Sequence, residues 1–388
     1  MSSEKRLKVM VVFGTRPEAI KMAPLIFQLK KENHLFETKV VVTSQHRELL
    51  DQVCQVFGIG PDYDWDVMSE RQSLVDVTTV ILEKLDAVLK KEQPDMVLVH
   101  GDTATAFAAS LATFYNHIKL GHVEAGLCTW DKLSPFPEEM NRQLTDAMCD
   151  VYFAPTAKSR ANLLQEGRSQ DAIFVTGNTV IDTLSLTVSD SYHHELFDRL
   201  DANKRFILLT MHRRESHGDA MKEVFEVIYE VSAEYEDLEI VFPVHPNPNV
   251  QALAKQMLDG VEHIHLISPL DVVDFHNIAR RSYFIMTDSG GVQEEAPSLG
   301  KPVLVLRKET ERPEGVQAGT LRLVGTDKET IKSAMRELLG DRECYNRMAR
   351  AQNPYGDGCA SERITQALAY HFGRAERPLD FASGVSDE

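Results

Sequence analysis

The sequence predicts an α/β protein of two parallel-sheet domains facing one another across a cleft. Three observations support this. Short apolar runs of strand length recur along the chain, separated by helical stretches, which is the pattern of βαβ units. The series breaks once, at the polar stretch from Ser189 to Lys204, and then begins again. A length of 388 residues also exceeds what a single hydrophobic core usually organises.

The first series comprises Val9–Phe13, Lys39–Val42, Met96–Val99, Leu120–Val123, Val151–Phe153 and Ile173–Val175. The second comprises Phe206–Leu209, Ile240–Pro243, Ile264–Leu266, Tyr283–Met286, Val303–Leu306 and Leu321–Leu323. Runs so nearly continuous in apolar residues suit strands covered on both faces. The expected division is a first domain at 1–188, a second at 204–358, a closing helix within 359–375 and a flexible, acid-containing tail at 376–388. Ligand groups are expected in the loops at the C-terminal ends of the strands.

Composition narrows the function classes. Hydrophobic residues make up 43% and charged residues 26%, as in a globular protein, and the net charge is -17. A surface of that sign opposes a nucleic-acid backbone, although a few local cations are enough for an anionic small ligand. No signal-peptide pattern opens the chain, and no apolar run approaches the roughly 20 residues of a membrane span. A cytoplasmic location without membrane insertion is the expectation. The five cysteines (Cys54, Cys128, Cys149, Cys344 and Cys359) have no CxxC spacing and read as reduced thiols.

Polar groupings follow strands in both halves. Gly14-Thr15-Arg16-Pro17-Glu18, with Lys21 beyond it, places a turn, a helix start and two cations after the first strand. Pro17 suits the first helical turn, and the helix should bury Ile20, Leu25 and Leu29 while presenting Lys21 elsewhere. The spacing is neither a dinucleotide fingerprint nor a P-loop. Arg16 and Lys21 read equally well as anion ligands or as an ordinary ion pair and a solvated lysine. Asp102 and Glu124 end separate strands, so both can emerge at one sheet edge, either as proton-handling acids or as caps of following helices. Glu138 and Glu139 follow Pro135 and Pro137, as preorganised acids or as solvated residues opening a helix.

In the second half, His212-Arg213-Arg214-Glu215 reads as an anion clamp after a strand. His245 lies in a proline-rich loop, and Ser289-Gly290-Gly291 can offer amides to a phosphate. Glu294 or Glu295 can accept ribose hydroxyls, and Arg307 and Arg312 add charge. The phosphate- and ribose-type groups therefore fall in the second half and the acids in the first.

The stretches FGTRPEAIKMAPL, TSQHRELLDQV, LVHGDT, GHVEAGL, SPFPEEMNRQL, HRRE, TDSGGVQEEAPSLGKPVLVLR and TERPEG together resemble the non-hydrolysing UDP-N-acetylglucosamine 2-epimerases. The resemblance implies a GT-B-like fold: two Rossmann-like domains, a deep interdomain cleft, and a C-terminal helix that packs back on the first domain. It implies reversible C2 epimerisation of UDP-N-acetylglucosamine to UDP-N-acetylmannosamine through elimination and re-addition of UDP, serving cell-surface polysaccharide synthesis. It implies no cofactor, no metal and a homodimer. Catalytic roles map onto Asp102, Glu124, Glu138 and His212. Contacts to UDP or substrate map onto Arg16, Lys21, His212, Ser289, Gly290, Gly291, Glu295 and Arg312. An activating second UDP-N-acetylglucosamine maps onto Gln45, His46, Arg71, Gln72, Glu138, Arg213 and His245.

The chain departs from that pattern in places. The usual GLRT reads Gly126-Leu127-Cys128-Thr129, two hydroxyls of a GDTTTT run are replaced at Ala104 and Ala106, HRREN ends in Ser216, and GDGRAS has Cys359. A hydrolysing 2-epimerase, a glycosyltransferase of the same fold and a non-catalytic UDP-sugar-binding regulator are the alternatives at this stage.

Overall fold

The computed structural model describes residues 5–44, 47–67, 72–213, 216 and 218–382. The chain forms two compact units, one running through Leu186 and including Gly356–Ala382, the other Thr187–Tyr355.

The first unit holds a 7-stranded sheet in the order β3-β2-β1-β4-β5-β6-β7. Its strands are β1 (Leu7–Phe13), β2 (Phe36–Val42), β3 (Tyr63–Asp64), β4 (Met96–His100), β5 (Lys119–Val123), β6 (Val151–Ala154) and β7 (Ile173–Val175). The two-residue β3 is too short to leave a periodic signal in the sequence. The second unit holds a 6-stranded sheet in the order β10-β9-β8-β11-β12-β13. Its strands are β8 (Arg205–Thr210), β9 (Leu238–Pro243), β10 (Ile264–Ile267), β11 (Ile285–Thr287), β12 (Val303–Val305) and β13 (Leu321–Leu323). Pairing is parallel in both. These are two Rossmann-like α/β units, as expected.

The strands read as doubly covered are so. Met10, Val12, Val97 and Val99 pack on Leu85, Leu89 and Ala109 in one layer of the first unit, and Leu209, Phe242 and Met286 on Val224, Ile228 and Leu338 in the second. In each sheet the strand order reverses once, beside β1 and β4 in the first and beside β8 and β11 in the second. At such a reversal the two neighbouring connections leave in opposite directions, and the strand ends there open a crevice.

Two expected boundaries need correction. The stretch Ser189–Lys204 is not a free connection but part of the second unit. Leu196 is fully buried against Phe206, Leu208 and Ile278, and Ser189 donates its amide to Asn277 Oδ1 at 2.9 Å. A few apolar residues in a polar stretch were enough to dock it. Residues 376–382 are likewise not loose. Val175 N donates to Asp380 Oδ1 at 3.0 Å, and Phe381 N donates to Val175 O at 2.7 Å. Edge strand β7 has unpaired backbone groups on its outer side, and this segment satisfies them.

The helix Ala360–His371 belongs to the first unit, where Asp182 accepts the Ala360 and Ser361 amides at 3.2 and 2.6 Å. The cysteines are free. Among the described residues no helix is long and apolar enough to cross a membrane.

Candidate active site

In the first unit the candidate residues gather at the reversal. After β1 the chain turns through Gly14 into the helix Arg16–Lys31, capped by Thr15. Gly14 is required there, since a Cβ at that position would strike the hydroxyls of Thr43 and Thr105, which bond each other at 2.8 Å. Arg16 and Pro17 form the first turn, and Arg16 is half-buried, in no ion pair among the described residues.

Glu18 is the organiser of this corner, a role the sequence did not reveal. Its Oε2 accepts the Gly14 and Thr15 amides at 3.0 and 2.7 Å, and its Oε1 accepts the Thr103 hydroxyl at 2.7 Å. Burial pushes the Glu18 carboxyl above the usual range, with these bonds opposing the shift. One buried side chain thereby ties the loop after β1 to the loop after β4.

Glu124 lies just past β5, at 7% exposure and with φ 64°. A left-handed backbone is uncommon for glutamate and is tolerated where surrounding contacts hold it. Lys21 Nζ lies 2.7 and 2.6 Å from its two oxygens, and His100 Nε2 lies 2.7 Å from Oε2. Lys21 is thus turned onto an acid, not presented to solvent. Burial opposes ionisation of Glu124, but the charges of Lys21 and His100 outweigh it and hold the carboxyl well below its ordinary value.

Asp102 and Glu124 do share an edge, because β4 pairs with β5 with His100 opposite Val123. Neither acts as a helix cap: Thr103 caps the helix Ala104–Tyr115, and no helix follows Glu124 directly. Asp102 pairs with Arg142, which also holds Glu139 at 2.8 Å and bonds the Leu127 carbonyl. Asn141 Nδ2 donates to the Asp102 carbonyl at 3.0 Å. Buried His122 contacts the Gly101 carbonyl at 2.7 Å through Nε2 and Asp146 at 2.6 Å through Nδ1. The acid therefore sits on a fixed backbone.

Glu138 and Glu139 separate in function. Glu139 is fully buried and accepts the Thr129 and Trp130 amides, both at 2.9 Å, so it is structural. Glu138 is the first residue of the helix Glu138–Met148 and is half-buried. Ser134-Pro135 and Phe136-Pro137, just before it, are both cis.

In the second unit the reversal brings the loop after β8 to the loop after β11. Asp288, fully buried, accepts the His212 amide at 2.9 Å, the Arg213 amide at 2.8 Å and the Ser216 hydroxyl at 3.0 Å. His212 Nδ1 is 3.3 Å from the same carboxylate, and the imidazole stacks on that of His245 at 5.6 Å and 20°. Ser216, the departure from HRREN, thus still supplies a donor to Asp288.

A Cβ on Gly290 would meet the Arg213 and Arg312 guanidinium nitrogens at 3.7 and 3.9 Å, with Glu311 also at 3.9 Å. Two cations and unencumbered backbone therefore converge on Ser289-Gly290-Gly291, an arrangement suited to a diphosphate. Arg312 is held by buried Glu294, and the Thr310 hydroxyl accepts the Arg312 amide at 3.0 Å. Glu295 is fixed by His276, whose Nε2 is 3.2 Å from Oε2 and whose Nδ1 is 2.7 Å from the Thr187 hydroxyl. A UDP-N-acetylglucosamine 2-epimerase family model matches residues 28–369.

The chain belongs to that family.

A UDP-N-acetylglucosamine 2-epimerase of Bacillus subtilis (strain 168) is 56% identical over 378 residues, covering 97% of this chain and 99% of its own length. A Staphylococcus aureus MnaA–UDP structure matches with a TM-score of 0.88 at 50% identity, over 97% of this chain and 100% of that one. A Neisseria meningitidis UDP-GlcNAc 2-epimerase bound to UDP-GlcNAc matches with a TM-score of 0.84 at 47% identity, over 94% and 100%.

As a family member, the chain has the acid groups in its first unit and the arginine–glycine group in its second. Of the residues assigned to an activating ligand, Gln45, His46 and Arg71 lie outside the described residues, as do Arg214 and Glu215 of the HRRE motif. Gln72 and Glu138 lie in the first unit, and Arg213 and His245 in the second. Glu18, His100, Arg142, Asp288 and His276 were not singled out from the sequence, since each has at least one partner on another loop or element. Two of them had a signal: Asp288 lies between a strand end and Ser289-Gly290-Gly291, and Glu18 completes the Thr15-x-x-Glu18 capping box.

Proposed function

We propose that this chain is a non-hydrolysing UDP-N-acetylglucosamine 2-epimerase that interconverts UDP-N-acetylglucosamine and UDP-N-acetylmannosamine. The observation that carries the reading is the buried Glu124, in contact with Lys21 and His100 at the same sheet edge as Asp102. The C2 proton is not next to a carbonyl, so its removal needs a positioned base and concurrent support of the departing diphosphate.

In the proposed step a carboxylate of the first unit takes the C2 proton. The C–H electrons form the C1=C2 bond, and the C1–O bond breaks with its electrons going to UDP. The diphosphate is held by Arg213, Arg312 and the Ser289-to-Gly291 backbone, and Glu295 accepts the ribose hydroxyls. His212 and Arg16 assist the leaving group. UDP then re-adds to C1 while C2 receives a proton on its opposite face. Asp102, Glu124 and Glu138 are the acids for the two faces. Lys21, committed to Glu124, serves chiefly to keep that buried acid ionised.

The same reading carries a second UDP-N-acetylglucosamine as activator beside His245 and Arg213, a homodimer, a cytoplasmic location, and supply of a cell-surface polysaccharide precursor. The test is incubation of pure protein with UDP-N-acetylglucosamine in deuterated water. The expected result is UDP-N-acetylmannosamine carrying deuterium at C2. Stoichiometric free UDP with free sugar would instead establish a hydrolysing enzyme, and tight UDP binding without epimer a regulator.

A further inference from the structure

Next to the acid frame lies a group of side chains that the proposed reaction does not use. Cys128, Asp146 and Glu166 each bring a ligand atom to within 4.8 Å of the other two. Cys128 Sγ lies 3.3 Å from Glu166 Oε1. Asp146 is fully buried; its Oδ1 is 2.6 Å from His122, and its Oδ2 has no hydrogen-bond partner among the described residues. The Glu166 side chain is only 8% exposed, and the cation beside it, Arg168, is 3.5 Å away.

A buried carboxylate oxygen with no donor is costly, and the Asp146 carboxylate that carries it lies beside a second acid and a thiol. We infer that Cys128, Asp146 and Glu166 form a binding site for one thiophilic divalent cation of the zinc class. The donor set selects the ion. One sulfur and two carboxylate oxygens suit a tetrahedral zinc-type centre, whereas magnesium and calcium take oxygen shells. With metal–sulfur bonds of about 2.3 Å and metal–oxygen bonds of about 2.0–2.2 Å, tetrahedral neighbours lie roughly 3.3–3.7 Å apart. Side-chain adjustments of about an ångström close the observed group onto an ion, and water completes the shell.

As the metal–sulfur bond forms, the thiol proton passes to solvent, and the ion's two charges offset the acids. Arg168 balances the charge that remains. The ion would tie the segment carrying Cys128 to the helix Glu138–Met148, and Asp146 connects onward through His122 to the carbonyl of Gly101. The site is separate from the groups assigned to the proposed epimerisation step.

The test uses the full-length, metal-free protein titrated with cobalt(II) as a spectroscopic substitute for zinc. A thiolate-to-cobalt charge-transfer band should saturate at one equivalent and disappear on addition of zinc. Glu166→Gln should weaken binding by about tenfold or more. Cys128→Ser should abolish the band, as should Cys128→Arg, which sets a permanent cation against the same acids. If Cys128→Ser fails to fold, Cys128→Arg carries the test, with its metal-free melting temperature reporting that the fold survives. Absence of a saturable band in the native protein, or its persistence without Cys128, overturns the assignment.

Discussion

Lys21 and Glu124 form a closed ion pair, with Nζ 2.7 Å from Oε1 and 2.6 Å from Oε2, and side chains only 16% and 7% exposed. They come from different βα connections, so the pair exists only once β1, β4 and β5 have assembled. It keeps charge on an acid that burial alone would neutralise.

Removal of the lysine should therefore be costly. Lys21→Met leaves a buried carboxylate without its main counter-charge, and the expected loss is about 3 kcal/mol in urea unfolding at neutral pH. The sign with pH follows from the depressed Glu124 carboxyl. Its contribution is present above the unfolded carboxyl value and is lost as pH falls through the lower folded value. Native protein should lose stability on acidification through this window, and the gap between native and variant midpoints should narrow. A gap independent of pH would show that the pair does not set Glu124's charge.

Glu124→Gln keeps the shape of the side chain and removes the base. Turnover should fall by about 100-fold or more, with KM changed far less. Steady-state rates of epimer formation measure this, and near-native turnover removes Glu124 from the proton-handling set.

Glu18 should behave in the opposite way to Glu124. Burial raises its carboxyl in the folded state, so its stabilising contribution is full at low pH and declines as pH rises from the unfolded toward the folded value. Glutamine can accept the Gly14 and Thr15 amides through its carbonyl and donate to the Thr103 hydroxyl. Glu18→Gln should accordingly stay within about 1 kcal/mol of native stability at acidic pH and gain relative to it toward neutrality. Urea midpoints across that range test it, and a variant that loses ground toward neutral pH refutes the argument.

Asp288 touches no proposed reacting atom, yet it holds both the His212 and Arg213 amides and the Ser216 hydroxyl. Asp288→Asn replaces one acceptor oxygen by a donor facing those groups. The loop carrying His212 should shift, lowering kcat by on the order of 100-fold. UDP affinity, measured by calorimetry, should fall much less, because Arg312 and Glu295 have their own supports in Glu294 and His276. Equal losses in both quantities would point to general damage to the unit.

Much of the fold was legible because its signal is local. Buried parallel strands need apolar residues on both faces, so runs such as Met96–Val99 and Phe206–Leu209 stand out without context, and each lies within an observed strand. The two-residue strand Tyr63–Asp64 and the docking of residues 376–382 along β7 did not, since each depends on an edge that only the assembled sheet offers. At the site, the sequence marked the positions that follow strands, including Asp102, Glu124, His212 and Ser289. It did not show that Lys21 is paired and not solvated, because its partner lies 103 residues away.

The sequence by itself determined the α/β class, the two series of strands and the chemical inventory of each half, because apolar patterning and loop composition act over a few neighbouring residues. Only the tertiary structure decided which acids have a cationic partner, which are buried supports, and how His212 and Arg213 are held. Those properties come from charges and hydrogen bonds between segments far apart in the chain, which the order of strands at each sheet reversal brings together.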